Sequence, residues 1–196
     1  MGKIFVIMGK SASGKDSVYR RLSTDASLGL ATVVPYTTRP MRAGETEGVE
    51  YHFVTPGALE EMRAAGKVIE CRIYQTVQGP WAYFTPDDGQ IDPESGSCLL
   101  IGTLESYQRL RAYFGADTVV PVYLTVNDGE RLLRSIGREM EQKAPNLKEV
   151  CRRFLADEED FSEEKLHEAG VEIRFENDDL EECIERVRAF ILEASA

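Results

Sequence analysis

Long hydrophobic runs are missing from this 196-residue sequence. The apolar run nearest the N-terminus, Ile4-Phe5-Val6-Ile7-Met8, follows Met1-Gly2-Lys3 directly and is too short for a signal-peptide core or a membrane span, while Val6 breaks the myristoylation pattern. A positive excess is missing too: the net charge is −11 and the pI near 4.8. Nucleic acid and anionic membrane would each demand a basic face, so neither is expected as a partner, and an anionic small substrate would need locally clustered arginines. Cysteine is sparse. Cys71, Cys98, Cys151 and Cys183 show no paired spacing, and most sit in apolar-patterned segments as small buried hydrophobes do, which predicts a reduced, cytoplasmic protein. Repeats and low-complexity tracts are also absent, and the length suits one well-buried α/β core with a small insertion.

What is present is concentrated near the N-terminus. The apolar run reads as a buried parallel strand, Gly9-Lys10-Ser11-Ala12-Ser13-Gly14-Lys15-Asp16-Ser17 as a glycine-bracketed loop, and the residues from Lys15 as a helix. Backbone N–H groups of such a loop wrap an anion, and the positive end of the helix dipole faces it. The spacing of Gly9, Gly14 and Lys15 predicts a nucleotide-phosphate site; a Gly/Ser-rich turn that only joins strand to helix is the alternative. One position departs from the pattern. Asp16 stands where a Ser or Thr hydroxyl would serve Mg²⁺, with Ser17 one place late.

A second stretch, Tyr36-Thr37-Thr38-Arg39-Pro40-Met41-Arg42-Ala43-Gly44-Glu45 and onward to Gly48, Tyr51 and Phe53, sets two arginines three apart in a loop ahead of an alternating strand. Two guanidinium forks and a tyrosine hydroxyl suit a phosphate. Together with the phosphate loop, this succession resembles the guanylate kinase family in its GMP-binding region. The resemblance implies that Arg39, Arg42, Tyr51 and Tyr83 hold the GMP phosphate with Glu45 nearby, that Glu70 accepts the guanine N–H protons, and that Thr85 contacts the base. It covers nearly the whole chain. It also implies ATP and Mg²⁺, with Asn177 of Asn177-Asp178-Asp179-Leu180 near the donor adenine and Arg134, Arg138 and Arg153 as lid arginines beside the catalytic Lys15 and Arg39. As bare chemistry, the alternative for each of those arginines is a solvated helix face paired with Glu139 and Glu141.

The family pattern fails twice more. Its Asp-x-Asp at the end of the strand 98–101 is Ile101-Gly102-Thr103 here, and its Ser before Thr-Thr-Arg is Pro35. Thr103 is nonetheless counted with the acceptor site, and Asp16 is expected to carry the metal in place of the missing acid; the alternative for Asp16 is a helix-end complement.

Remaining elements follow local signals. Thr55, Pro56 and Gly66 bracket a helix, a Gly79-Pro80 turn separates two strands of a small sheet, Pro121 weakens a central ladder position, and Leu147, Val150, Cys151, Phe154 and Leu155 form the inward face of a helix. The acidic run 157–168 reads as solvated surface without function. The expected fold is an α/β P-loop core with a mostly parallel sheet (1–35, 96–129, 154–196), an inserted small α+β nucleotide-monophosphate subdomain (36–95) and a helical lid (130–153). The expected activity is ATP-dependent phosphorylation of GMP or dGMP by a monomer or homodimer. Two alternatives stand beside it: a sugar-phosphate kinase, because ribose 1,5-bisphosphate phosphokinases share Gly-Lys-Asp-Ser and lack the Asp-x-Asp, and a silent guanylate-kinase-like binding module.

Overall fold

A computed structural model describes residues 1–42, 44–76 and 79–195. Strand β1 (Ile4–Gly9) is buried along its whole length, as an apolar run without alternation should be in a sheet covered on both faces. Its side chains still divide by period two: Ile4, Val6 and Met8 join one core cluster, Phe5 and Ile7 the other. Helix α1 (Lys15–Ser23) lays Val18 and Leu22 on the second cluster, and a single 3-10 turn at Ala26–Leu28 leads to the short β2 (Ala31–Thr32). Pro35 then falls where the chain leaves the main sheet, because β3 (Tyr36–Thr37) and β4 (His52–Phe53) belong to a second one.

Helix α2 (Pro56–Ala64) starts as its sequence directs, with the Thr55 side chain accepting from Ala58 N at 3.2 Å, Pro56 in the first turn, and Gly66 beyond the end at φ 68°. It packs Leu59 and Met62 over Ala82 and Phe84. β5 (Val68–Thr76) and β6 (Gly79–Pro86) form an antiparallel hairpin longer than expected, so Gly79 and Pro80 lie within a strand rather than at the turn. The connection, Val77 and Gln78, lies outside the described residues, as does Ala43. Proline is tolerated here because β6 pairs with β3 only from Tyr83 onward, leaving Pro80 with one described neighbour.

β7 (Cys98–Ile101) returns to the main sheet, and α3 (Leu104–Phe114) opens with a capping box between Thr103 and Ser106. β8 (Val119–Thr125) follows. Pro121 sits opposite Val6 and before β9 joins at Tyr123, so it too has a strand on one side only, which explains how a ladder near the sheet centre accepts it. Helices α4 (Asp128–Met140), α5 (Leu147–Asp160) and α6 (Glu163–Glu168), strand β9 (Arg174–Glu176) and helix α7 (Leu180–Ser195) complete the chain.

The main sheet has the order β2-β7-β1-β8-β9, all parallel. The smaller sheet, β4-β3-β6-β5, is mixed. This is an α/β fold with a mostly parallel sheet between helices, and the loops leaving the carboxyl ends of β1 and β7 converge beside the small sheet, where an open α/β fold places its ligands. Helix α5 corrects the expected inward face: only Val150 of the five apolar positions is buried, with Leu147 and Leu155 exposed and Arg131 of α4 filling the space instead. Among the described residues no helix is long and apolar enough to cross a membrane, and none of the four cysteines is disulfide-bonded.

Candidate active site

The β1–α1 loop is shaped by its backbone. A Cβ on Gly9 would stand 2.6 Å from Ser13 Oγ and 2.7 Å from the Leu124 carbonyl oxygen, and one on Gly14 would stand 2.2 Å from Asn177 Nδ2, so neither position admits a side chain. Gly14 is left-handed at φ 83°, and so is Ala12 at φ 62°, a non-glycine conformation that costs about 1–2 kcal/mol. Such alternation curls the loop into an anion-binding nest. Asn177, the residue after β9, secures it, its Nδ2 donating to the Ser13 carbonyl at 2.7 Å while its Oδ1 is buried without a partner among the described residues. Ala12, Gly14, Asp16, Ser17, Arg138 and Asn177 are among the residues that line a cavity of about 580 Å³, as are Arg20 and Arg134. Arg134 donates to Glu130 at 3.0 Å; Arg138 is exposed.

A second cavity of about 520 Å³ opens on the other side of α1, walled by Lys15, Tyr51, Arg72, Tyr83, Ile101 and Thr103. Asp16 and Arg20 line both cavities. Arg39 is held behind this wall: its guanidinium is 3% exposed, makes a two-pronged bond to the Glu45 carboxylate, and lies over the Tyr51 ring at 5.0 Å and Phe53 at 5.3 Å. Tyr51 in turn packs edge-on against Tyr83 at 5.6 Å. Arg42 is exposed, with its backbone N–H on Glu45 at 2.7 Å. Glu70 and Thr85 are buried together, Thr85 Oγ1 donating to Glu70 Oε1 at 2.8 Å, and neither lines the cavity.

Two groups expected at the phosphate loop are engaged by the acidic run, which is therefore not merely solvated. Ser11 N donates to Asp157 Oδ2 at 2.7 Å, and Lys10 Nζ pairs with Glu158 at 2.7 Å. Arg131, 1% exposed, joins both: Nη2 donates to Glu158 at 2.7 Å and to Asp128 at 2.8 Å, and Nη1 to the Ser11 carbonyl at 3.1 Å. Arg153 borders the same corner, 4.0 Å from Glu139. Sequence reasoning passed over Arg131, Asp157 and Glu158, and also Arg20 and Arg72. Arg20 alone carried a local signal, being four residues after Asp16 and so on the same helix face.

The guanylate kinase family model matches residues 1–194. The chain is 30% identical over 195 residues to a guanylate kinase of Nitratidesulfovibrio vulgaris, covering 98% of this chain and 87% of the relative. It belongs to the guanylate kinase family. A guanylate kinase of Zymomonas mobilis is likewise 30% identical, covering 95% of this chain and 82% of the relative. The fold agrees with the crystal structure of guanylate kinase from Anaplasma phagocytophilum at a TM-score of 0.65 and 22% identity, over 99% of this chain and 86% of that one.

For this guanylate kinase family member, the Arg39–Glu45 pair makes a testable claim about acid stability. The Arg39 fork, with the Arg42 N–H adding to it, pulls the Glu45 carboxyl from its ordinary 4.5 down to about 2. A depressed carboxyl stabilises the fold fully above its unfolded value and loses that contribution as pH falls toward the folded one. Wild type should therefore lose stability between about pH 4.5 and 2, and a Glu45→Gln variant should be less stable at pH 7 yet show a flatter decline over that window in urea titrations. Parallel declines would show that another carboxylate governs it.

Proposed function

We propose that the chain transfers the γ-phosphoryl group of ATP to GMP, or dGMP, giving GDP. The observation that carries this reading is the pair of cavities on either side of α1 that share Asp16 and Arg20: a donor and an acceptor bound one in each would meet at the helix N-terminus. The donor phosphates would lie in the Ala12 to Gly14 nest with Lys15 beside the transferring group, and the buried Oδ1 of Asn177 offers an acceptor next to it. Arg42, Tyr51 and Tyr83, backed by the Arg39–Glu45 pair, would hold the acceptor phosphate. Arg134, Arg138 and Arg153 on 130–153, the lid, would close over the reacting groups, exclude water and offset charge on the transferring phosphoryl, which passes directly and in line without a covalent enzyme intermediate. On this reading 36–95 is the acceptor subdomain and the enzyme works in the cytoplasm on small nucleotides.

Magnesium fits the residues present. Among the described residues no three acid, histidine or cysteine groups form a metal cluster, and Asp16 is exposed on both cavities without a hydrogen-bond partner. One carboxylate plus phosphate and water oxygens is what a hard octahedral cation of this size takes. When bound, Mg²⁺ neutralises charge on the donor phosphates. Asp16 would anchor it directly or through water, and in Asp16→Ala the Mg²⁺ concentration for half-maximal rate should rise by about tenfold. An identical magnesium dependence would return Asp16 to the role of a helix-end complement.

A coupled assay of ADP release against GMP, dGMP, AMP, CMP, UMP and ribose 1,5-bisphosphate tests the whole reading. Turnover led by GMP or dGMP is expected. A sugar phosphate preferred over GMP, or no turnover with any of them, would overturn it in favour of a sugar kinase or a silent module.

A further inference from the structure

Glu70 and Arg72 lie two apart on β5 and so share a face of the small sheet. Both oxygens of the Glu70 carboxylate are taken: Oε2 accepts from Arg72 Nε at 3.0 Å, and Oε1 from Arg72 Nη2 at 3.3 Å and from Thr85 Oγ1 at 2.8 Å. Its side chain is 1% exposed. Arg72 extends past it, donating from Nη1 to Thr103 Oγ1 at 3.3 Å, and it is Arg72, not Glu70, that forms part of the acceptor cavity wall between Tyr83 and Thr103. Thr103 is itself fixed as the N-cap of α3, so the guanidinium is held from two sides.

The polarity of the wall follows. Guanine offers two kinds of recognition edge: N1–H and a 2-amino group, which need an acceptor, and O6 with N7, which need donors. Here the carboxylate is occupied and covered, and what faces the base is an arginine fork, the side chain best matched to O6 and N7. Pro35, Ile101 and Gly102 on the same wall add no side-chain acceptor, and the carboxylates that line this cavity, Asp16 and Glu50, belong to α1 and to the loop before β4.

We propose that Arg72 is the specificity-determining residue of the acceptor site, its guanidinium meeting O6 and N7 of a 6-oxopurine while Glu70 acts as the positioning residue that aims it. The proposal rests on the guanylate reading above and deepens it. Its consequence is a specificity by the 6-position: a 6-amino group would set donors against donors and be rejected, whereas the 2-amino group, with the Glu70 carboxylate already occupied, would contribute little.

The test compares GMP, IMP and AMP as acceptors for the wild-type chain at saturating ATP. IMP should be used within about fivefold of GMP in kcat/KM, and AMP at least about a hundredfold less well. GMP turnover with IMP about thirtyfold or more below it would overturn this proposal alone, since a carboxylate of the site would then be reading the 2-amino group; failure of all three purines would overturn the guanylate reading and this proposal with it. Arg72→Gln supplies the second measurement, with circular dichroism to establish that it is folded. Removing the fork weakens both acceptors but uncovers Glu70, so the GMP to IMP ratio of kcat/KM should rise by about tenfold while KM for ATP stays unchanged. A purely structural Arg72 would weaken both equally, and an unmoved ratio in the folded variant would overturn the proposal.

Discussion

Lys15→Met is expected to lower kcat by about a hundred- to a thousandfold while leaving the fold as stable as wild type to within about 0.5 kcal/mol. Lys15 is the first residue of α1, half-buried on the wall of the acceptor cavity, and among the described residues it has no ion pair or hydrogen bond. No described residue pairs with its charge, which is therefore available to a phosphoryl oxygen. A preorganised donor that strengthens as charge develops in the transition state is worth about 2.7–4 kcal/mol, which is the rate loss stated. Methionine keeps the aliphatic stem and the helix propensity, so melting should barely move. KM for the acceptor should change little, because uniform binding is not what is lost. Single-turnover kinetics check this: a chemical step as fast as wild type would remove Lys15 from the reaction.

The sequence displayed this lysine plainly because everything that defines its setting is local. Gly9, Gly14 and the strand and helix on either side lie within twenty residues, and the same is true of the α2 and α3 caps at Thr55 and Thr103. The unforeseen features depend on distance along the chain. Ser11 meets Asp157 across 146 residues and Lys10 meets Glu158 across 148, so an acidic run that reads as solvated by composition in fact grips the phosphate loop. Helical periodicity misjudged α5 for a related reason: an amphipathic stripe shows which face could be buried, not whether a neighbour reaches it, and Arg131 with Phe154 fills that space in place of Leu147 and Leu155. Arg72 was hidden by its type. No neighbour in the sequence marks it, and only the fold brings Glu70, Thr85 and Thr103 around it.

Arg131→Met should destabilise the protein by about 2–3 kcal/mol, lowering the melting temperature by roughly 5–10 °C. The side chain is 1% exposed and its guanidinium, stacked at 4.8 Å over the Phe154 ring, bonds Asp128, Glu158 and the Ser11 carbonyl, with Asp157 at 3.5 Å. Methionine fills most of the volume, so the loss is electrostatic rather than a cavity. Removing the one buried partner of a charge cluster costs about 3–5 kcal/mol when all members are buried; Asp128 and Glu158 are partly exposed here, which reduces the figure. What remains is three carboxylates about one corner with Lys10 as their ion-pair partner among the described residues, at 2.7 Å from Glu158 and 4.0 Å from Asp128. Two signatures separate that repulsion from a simple packing defect. Added salt should recover part of the Arg131→Met loss by screening the acids, and combining it with Asp157→Asn and Glu158→Gln should recover at least about half, since these neighbours do not add independently. The Asp157→Asn change also replaces the carboxylate on Ser11 N, a group that the donor phosphate would otherwise have to displace, so ATP should bind that variant more tightly. A triple variant no more stable than Arg131→Met, in denaturant titrations at low salt, would show that the arginine acts by packing on Phe154 and not by balancing the acids that hold the loop.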